Sequence, residues 1–255
     1  GSTTTSVYAG AGHDTVSVLT TGTVNRLVLG AGNDSITLGS GVTVSTLVGG
    51  GLSDTITFGD FAGGVIYGDA LGVTTAGTGT GGLADGGDVI GSTALVVNGS
   101  TTIYGAGGSD TISFGASALA TGENTLVDGG DQADTISILG VYANAASASM
   151  TVNGGKGADT ITSLEQTGGS YFYGEVGNDV MSGAATNAIT MNGGAGADTI
   201  TTGSATALVY ANSAEFITGG ALVDSIKFNA ATDSVVTEIG GAITIGATDS
   251  FARVN

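Results

Sequence analysis

Apolar and polar residues alternate in short bursts along this chain, and each burst begins at an aspartate. The stretches "DTVSV", "DSITL", "DTITF" and "DTISI" start at Asp14, Asp34, Asp54 and Asp134. Taking the Asp of each burst as an anchor gives Asp14, Asp34, Asp54, Asp88, Asp110, Asp134, Asp159, Asp179 and Asp198, spaced by 20, 20, 34, 22, 24, 25, 20 and 19 residues. Two residues after each anchor stand Val16, Ile36, Ile56, Ile90, Ile112, Ile136, Ile161, Met181 and Ile200, all apolar. Seven before it stand Val7, Leu27, Leu47, Gly81, Ile103, Val127, Val152, Phe172 and Met191, apolar except for Gly81. A period of two after the anchor is a strand with its Ile turned inward. The segment before the anchor ("TLV", "TIY", "MTV") reads as a second strand, rich in residues that suit a pleated surface. No stretch of useful length has a helical period.

A repeat near 20 residues indicates a solenoid. Each coil holds two strands, one Gly-Asp turn and one variable turn. Strands that recur once per coil pair in parallel with their copies in the next. The fold expected is all-β: a right-handed parallel β-roll of about ten coils, each of about 20–25 residues, with two parallel sheets over a thin core. At about 4.8 Å per rung the rod is about 45–50 Å long. Residues 1–204 are expected to form the regular coils, with a long loop at about 69–88. Beyond Gly203 the glycines thin out while the strand pattern persists through Leu208, Ile217, Ile226 and Val235, so 205–255 reads as degenerate last coils and a cap.

Composition changes the picture through charge. The chain has 255 residues, 49 of them Gly, with no Pro, Cys or Trp, and 22 acidic against 4 basic side chains, a net charge of −18. Such acidity repels nucleic-acid phosphates and anionic membrane surfaces and invites cations. No apolar run approaches a membrane span, so no membrane insertion is expected. Without Cys, with a single His and with few bases, acid–base catalysis is left to carboxylates and Tyr, and the chain reads as a non-enzyme. The leading Gly-Ser resembles a cloning remnant, and the chain reads as a segment of something longer.

Stacked coils put the nine anchors in one column along one edge, about 4.8 Å apart, where their repulsion opposes folding. Lys156 is the one basic residue in these turns. A hard divalent cation between successive turns resolves the conflict, because Ca²⁺ takes six to eight oxygens from carboxylates and backbone carbonyls alike. The turn glycines Gly10, Gly12, Gly30, Gly32, Gly50, Gly105, Gly107, Gly130, Gly155, Gly157, Gly177, Gly194 and Gly196 let the backbone bend its carbonyls toward such a centre. These glycines and the nine anchors are the expected metal site, with Asp128 and Asp131 in "VDGGDQAD" as additional candidate ligands. Nine anchors leave eight gaps, hence about eight ions.

The turns "GGKGADTIT" (154–162) and "GGAGADTIT" (193–201) resemble the G-G-x-G-x-D-x-U-x repeat of the RTX-type calcium-binding β-roll. "GAGHDTVS" and "GAGNDSIT" match with Ala9 or Leu29 in place of one Gly, and "GGLSDTIT", "GDQADTIS" and "GEVGNDVMS" are weaker copies. The resemblance implies Ca²⁺ held between neighbouring turns. RTX copies come every nine residues and load both edges; here the motif comes once per coil, so one calcium edge is expected.

Three readings of function follow. The first is a calcium-dependent structural segment of a secreted bacterial cell-surface protein, similar to surface-layer (S-layer) proteins exported by a type I route, in which Ca²⁺ drives folding and self-association with other surface-protein copies. The second is a binding module, either of an adhesin or of an ice-binding solenoid that uses the outward Thr and Ser ladders. The third is the RTX module of a secreted enzyme. The excursion "DALGVTTAGTGTGGLADGGD" between Asp69 and Asp88 is either a solvated loop or an extra calcium site or contact loop. His13 occupies a variable turn slot.

Overall fold

The computed structural model describes residues 5–59, 63–69, 85–92, 100–114, 123–143, 149–167, 169–183, 189–203, 207–211, 216–218, 224–228, 235–237, 243–245 and 253–254. Every element among them is a strand, and the strands fall into two sheets of twelve. Alternate strands along the chain go to alternate sheets, so each sheet grows by one strand per coil and every pairing is parallel. This is the parallel β-roll expected from the period. The twelve strands of each sheet exceed about ten because the pairs Ala207–Ala211 with Phe216–Thr218, Asp224–Phe228 with Val235–Thr237, and Ile243–Ile245 with Arg253–Val254 continue both ladders.

The core is two facing files of apolar side chains. One sheet contributes Leu27, Leu47, Ile66, Ile103, Val127, Val152, Phe172, Met191 and Val209; the other contributes Ile36, Ile56, Ile90, Ile112, Ile136, Ile161, Met181, Ile200 and Ile217. All are 0–1% exposed. Burying each contributes about 1.5–3 kcal/mol against the chain entropy of forming a coil.

One core position differs from the sequence reading. Gly81 lies outside the described residues, and the register Leu47↔Ile66↔Ile103 gives its slot to Ile66. The cause is an insertion inside the fourth Gly-Asp turn: the strand Gly64–Asp69 ends before residues 70–84, and Val89–Ser92 begins after them. Counting back seven from Asp88 therefore lands within the insertion.

The outer face of the second sheet carries Thr and Ser in register, as in Thr15↔Ser35↔Thr55 and Thr111↔Thr135↔Thr160. Exposed Val89, Val180 and Phe216 interrupt the ladder. On the outer face of the first sheet the Tyr67 and Tyr104 rings stack at 5.2 Å.

Candidate metal centre

All nine anchors sit where the chain passes from the first sheet to the second, so they share one edge. Each regular turn holds two left-handed residues, four and two places before its Asp. Gly30 (φ 120°) and Gly32 (φ 142°) serve Asp34; Gly155 (φ 108°) and Gly157 (φ 144°) serve Asp159. Glycine adopts this conformation freely, whereas other residues lose about 1–2 kcal/mol. Leu52, Ala106, Gln132 and Glu175 nonetheless adopt it, which shows how firmly the rungs above and below dictate the turn. Before Asp110 the left-handed slots belong to Ala106 and Gly108; Gly107 stands between them.

From Asp34 onward, each anchor is gripped by the rung before it. The Asp14 N–H donates to Asp34 Oδ1 at 2.8 Å, Asp34 to Asp54 at 2.8 Å, Asp54 to Asp88 at 2.7 Å and Asp88 to Asp110 at 2.7 Å. The series continues through Asp134, Asp159, Asp179 and Asp198 at 2.7–2.9 Å. From Asp34 onward the anchors are 0–3% exposed. The second oxygen, Oδ2, is buried in all nine and has no hydrogen-bond partner. A column of buried carboxylates with one bare oxygen each needs either protons or cations.

The electrostatics follow. Burial pushes the carboxyls of Asp54 and Asp110 up to about 7, Asp134 to about 8, and Asp159 and Asp179 to about 6, against a partial opposing effect of the backbone hydrogen bonds. Burial also raises Asp198. Asp88 is pushed up to about 10, by burial first and then by the neighbouring Asp110, Asp69 and Asp54.

The space in front of these bare oxygens is kept open by glycines that the sequence reading left out, except Gly105. They stand five places before the anchor, as Gly49, Gly105, Gly129, Gly154, Gly174 and Gly193, with Gly68 in the interrupted coil. A Cβ on Gly129 would lie 2.5 Å from the carbonyl oxygen of Gly154 and closer still to Asp134 Oδ2; one on Gly154 would lie 2.5 Å from Asp159 Oδ2. Beside Gly49, Gly68, Gly105, Gly129 and Gly174 the same point faces both an anchor Oδ2 and the carbonyl of the next rung. A carboxylate oxygen and a carbonyl facing a space bare of side chains are a donor set suited to a hard cation. The first two turns differ: Ala9 and the fully buried Leu29 take this position before Asp14 and Asp34.

The other candidates are placed differently. Asp131 is buried and forms an ion pair with Lys156 at 2.9 Å, leaving its Oδ2 unpartnered. Asp128 lies three strand positions earlier, in register with Asn153 and Tyr104 of adjacent rungs; burial, then Glu175, raises its carboxyl, and its charge in turn helps raise Asp134. His13 is exposed, and its Nδ1 accepts from the Asn33 N–H at 3.0 Å. Among the described residues no three Asp, Glu, His or Cys side chains gather around one point. A cation on this edge would therefore take many of its oxygens from backbone carbonyls and water.

The fold is a parallel β-solenoid with a column of buried carboxylates along one edge. Four stretches, residues 20–42, 98–117, 151–165 and 190–205, match the family model of the RTX calcium-binding nonapeptide repeat, so the chain carries RTX repeats and its partner ion is calcium. No curated protein and no solved structure shows significant similarity to the chain. Asp34, Asp110, Asp159 and Asp198 lie in the matched stretches. Asp14, Asp54, Asp88, Asp134 and Asp179 lie outside them yet hold the same place in the hydrogen-bonded column.

Proposed function

We propose that this chain is a calcium-folded structural segment of a secreted bacterial cell-surface protein of the S-layer kind. The observation that carries the reading is the buried, unpartnered Oδ2 of nine stacked aspartates. Calcium supplies positive charge to that column when bound. Asp54, Asp88, Asp110, Asp134, Asp159, Asp179 and Asp198 would hold it with carbonyls of neighbouring rungs. Asp14 and Asp34 complete the column, with less room because of Ala9 and Leu29. About eight ions fill the gaps, and residues 205–255 close the stack as degenerate coils and cap. RTX repeats are typical of secreted proteins. Extracellular calcium sites with Kd of about 10⁻⁴–10⁻³ M would leave the chain unfolded in a low-calcium cytosol and fold it outside. The long solenoid faces then serve self-association.

The test is circular dichroism during a calcium titration at neutral pH. Excess EDTA should abolish most β signal, and millimolar Ca²⁺ should restore it cooperatively, since neighbouring coils share each site. An unchanged spectrum in EDTA would sink calcium as the fold trigger. Surface assembly is tested separately, by light scattering of the calcium-loaded chain; a monomer at all concentrations contradicts it.

A further inference from the structure

The fourth turn is built from different residues than the rest. Asp69 pairs in register with Gly50, and Asp85 with Leu52, the two left-handed positions of the preceding turn. Where a regular turn has a glycine at each slot, this coil has a carboxylate at each, with residues 70–84 between them in sequence. The register thus brings the two ends of the insertion, and two extra negative charges, to the calcium edge.

Asp69 is 1% exposed. Its Oδ2 accepts from the Gly107 N–H of the next rung at 3.2 Å, and its Oδ1 has no hydrogen-bond partner. The Asp85 carboxylate lies over the same glycine: a Cβ on Gly107 would meet Asp85 Oδ2 at 2.8 Å. Both carboxylates therefore converge on Gly107, whose lack of a side chain leaves them room. Asp88 of the same coil and Asp110 of the next are each 1% exposed with Oδ2 unpartnered. The single ion pair among the described residues, Lys156 with Asp131, is on other rungs. A buried anion with a bare oxygen, converging with a second carboxylate on one glycine and without a cationic side chain, calls for a bound cation.

We propose that Asp69 and Asp85 form a divalent-cation site separate from the anchor row, taking a hard ion of the Ca²⁺ class and tying the two ends of the insertion together. The proposal rests on the calcium reading of the edge, but its ligands are a pair of carboxylates outside the anchor positions that the other turns do not combine. Bridging two residues 16 apart in sequence removes the closure entropy of the segment between them, which grows only slowly with its length. The raised carboxyl of Asp69, pushed up by burial and by Asp85, agrees with two anions held close together.

The experiment counts calcium bound to the full chain by native mass spectrometry and by equilibrium dialysis with ⁴⁵Ca²⁺. The variants are Asp69→Asn with Asp85→Asn, Asp85→Asn alone, and Asp179→Asn as a row control. The double variant should bind about one ion fewer than the parent while regaining the parent's β signal at saturating calcium. Asp85→Asn, at the less buried ligand, should weaken one site by roughly tenfold even if the double variant fails to fold. An unchanged count in the double variant, or unchanged affinities in Asp85→Asn, overturns the proposal while leaving the row intact. A parent chain that binds no calcium overturns the row reading first, so the two failures are distinguishable.

Discussion

Replacing Gly129 by alanine isolates the space in front of the carboxylates from backbone conformation. Gly129 has no left-handed φ, so alanine meets no backbone strain there. Its Cβ would lie 2.5 Å from the Gly154 carbonyl oxygen, about 0.8 Å inside an ordinary C···O contact of about 3.3 Å. It would also press on Asp134 Oδ2. Neither partner yields easily: Gly154 is backbone in the next rung, and Asp134 Oδ1 is held by the Asp110 N–H at 2.7 Å. Overpacking costs about 1–3 kcal/mol. Swinging the carboxylate away would forfeit a charge-assisted hydrogen bond of about 1.5–3 kcal/mol. The calcium-loaded protein should therefore lose about 2–4 kcal/mol, roughly 1 M in urea midpoint for a slope of about 3 kcal/mol/M. It should also bind about one ion fewer. Gly10→Ala is the control, because Gly10 is left-handed (φ 118°) with nothing within 4 Å of its would-be Cβ. It should cost about 1–2 kcal/mol from backbone strain and leave the ion count unchanged. Equal effects of the two variants on calcium stoichiometry would refute the idea that this glycine keeps a metal space open.

Three further outcomes are expected. Burial pushes the carboxyls of Asp54, Asp110, Asp134, Asp159 and Asp179 up to about 6 to 8, and that of Asp88 up to about 10, from an ordinary 3.8, so without calcium the folded state binds more protons than the unfolded one. Metal-free stability is then present at acid pH and lost as pH rises through about 6 to 8; in EDTA the β signal should be stronger at about pH 4.5 than at pH 8, and a reversed order contradicts the burial of the column. Lys156→Met strips Asp131 of its cation and should cost about 1–2 kcal/mol in urea unfolding, since Asp131 is 4% exposed while the lysine is largely in solvent; no change would mean the pair is only a surface contact. Leu29→Ala removes a fully buried side chain and should cost about 2–5 kcal/mol without lowering the ion count, as checked by thermal unfolding and calcium dialysis; a lost ion would show that Leu29 shapes a site rather than fills one.

The strands, their pairing and their inward residues were legible because one period governs both alternation and coil length. Ile36, Ile56 and Ile112 announce themselves by position alone. The register failed only at Gly81, where an insertion within the turn broke the count, and Ile66 could be found only through its neighbours in the sheet. Left-handed glycines such as Gly30 and Gly155 were readable from the motif. Gly108 was not, because "GAGGSD" offers three glycines for two special slots. Gly49, Gly129, Gly154, Gly174 and Gly193 went unread for a different reason: their backbone is ordinary, and their purpose is room for an aspartate five residues away. The pairing of Asp131 with Lys156 depends on rungs lying side by side, which sequence distance conceals.

The carboxylate grips also have a direction. Each N–H reaches a side chain of the following rung, 19 to 25 residues on except for the 34-residue step across the insertion. A separation of about 20 in a chain of 255 is about 0.08 of its length, a value typical of helical bundles rather than β-sandwiches. Such short spans favour growth coil by coil, each finished rung presenting its anchor N–H to the carboxylate of the next.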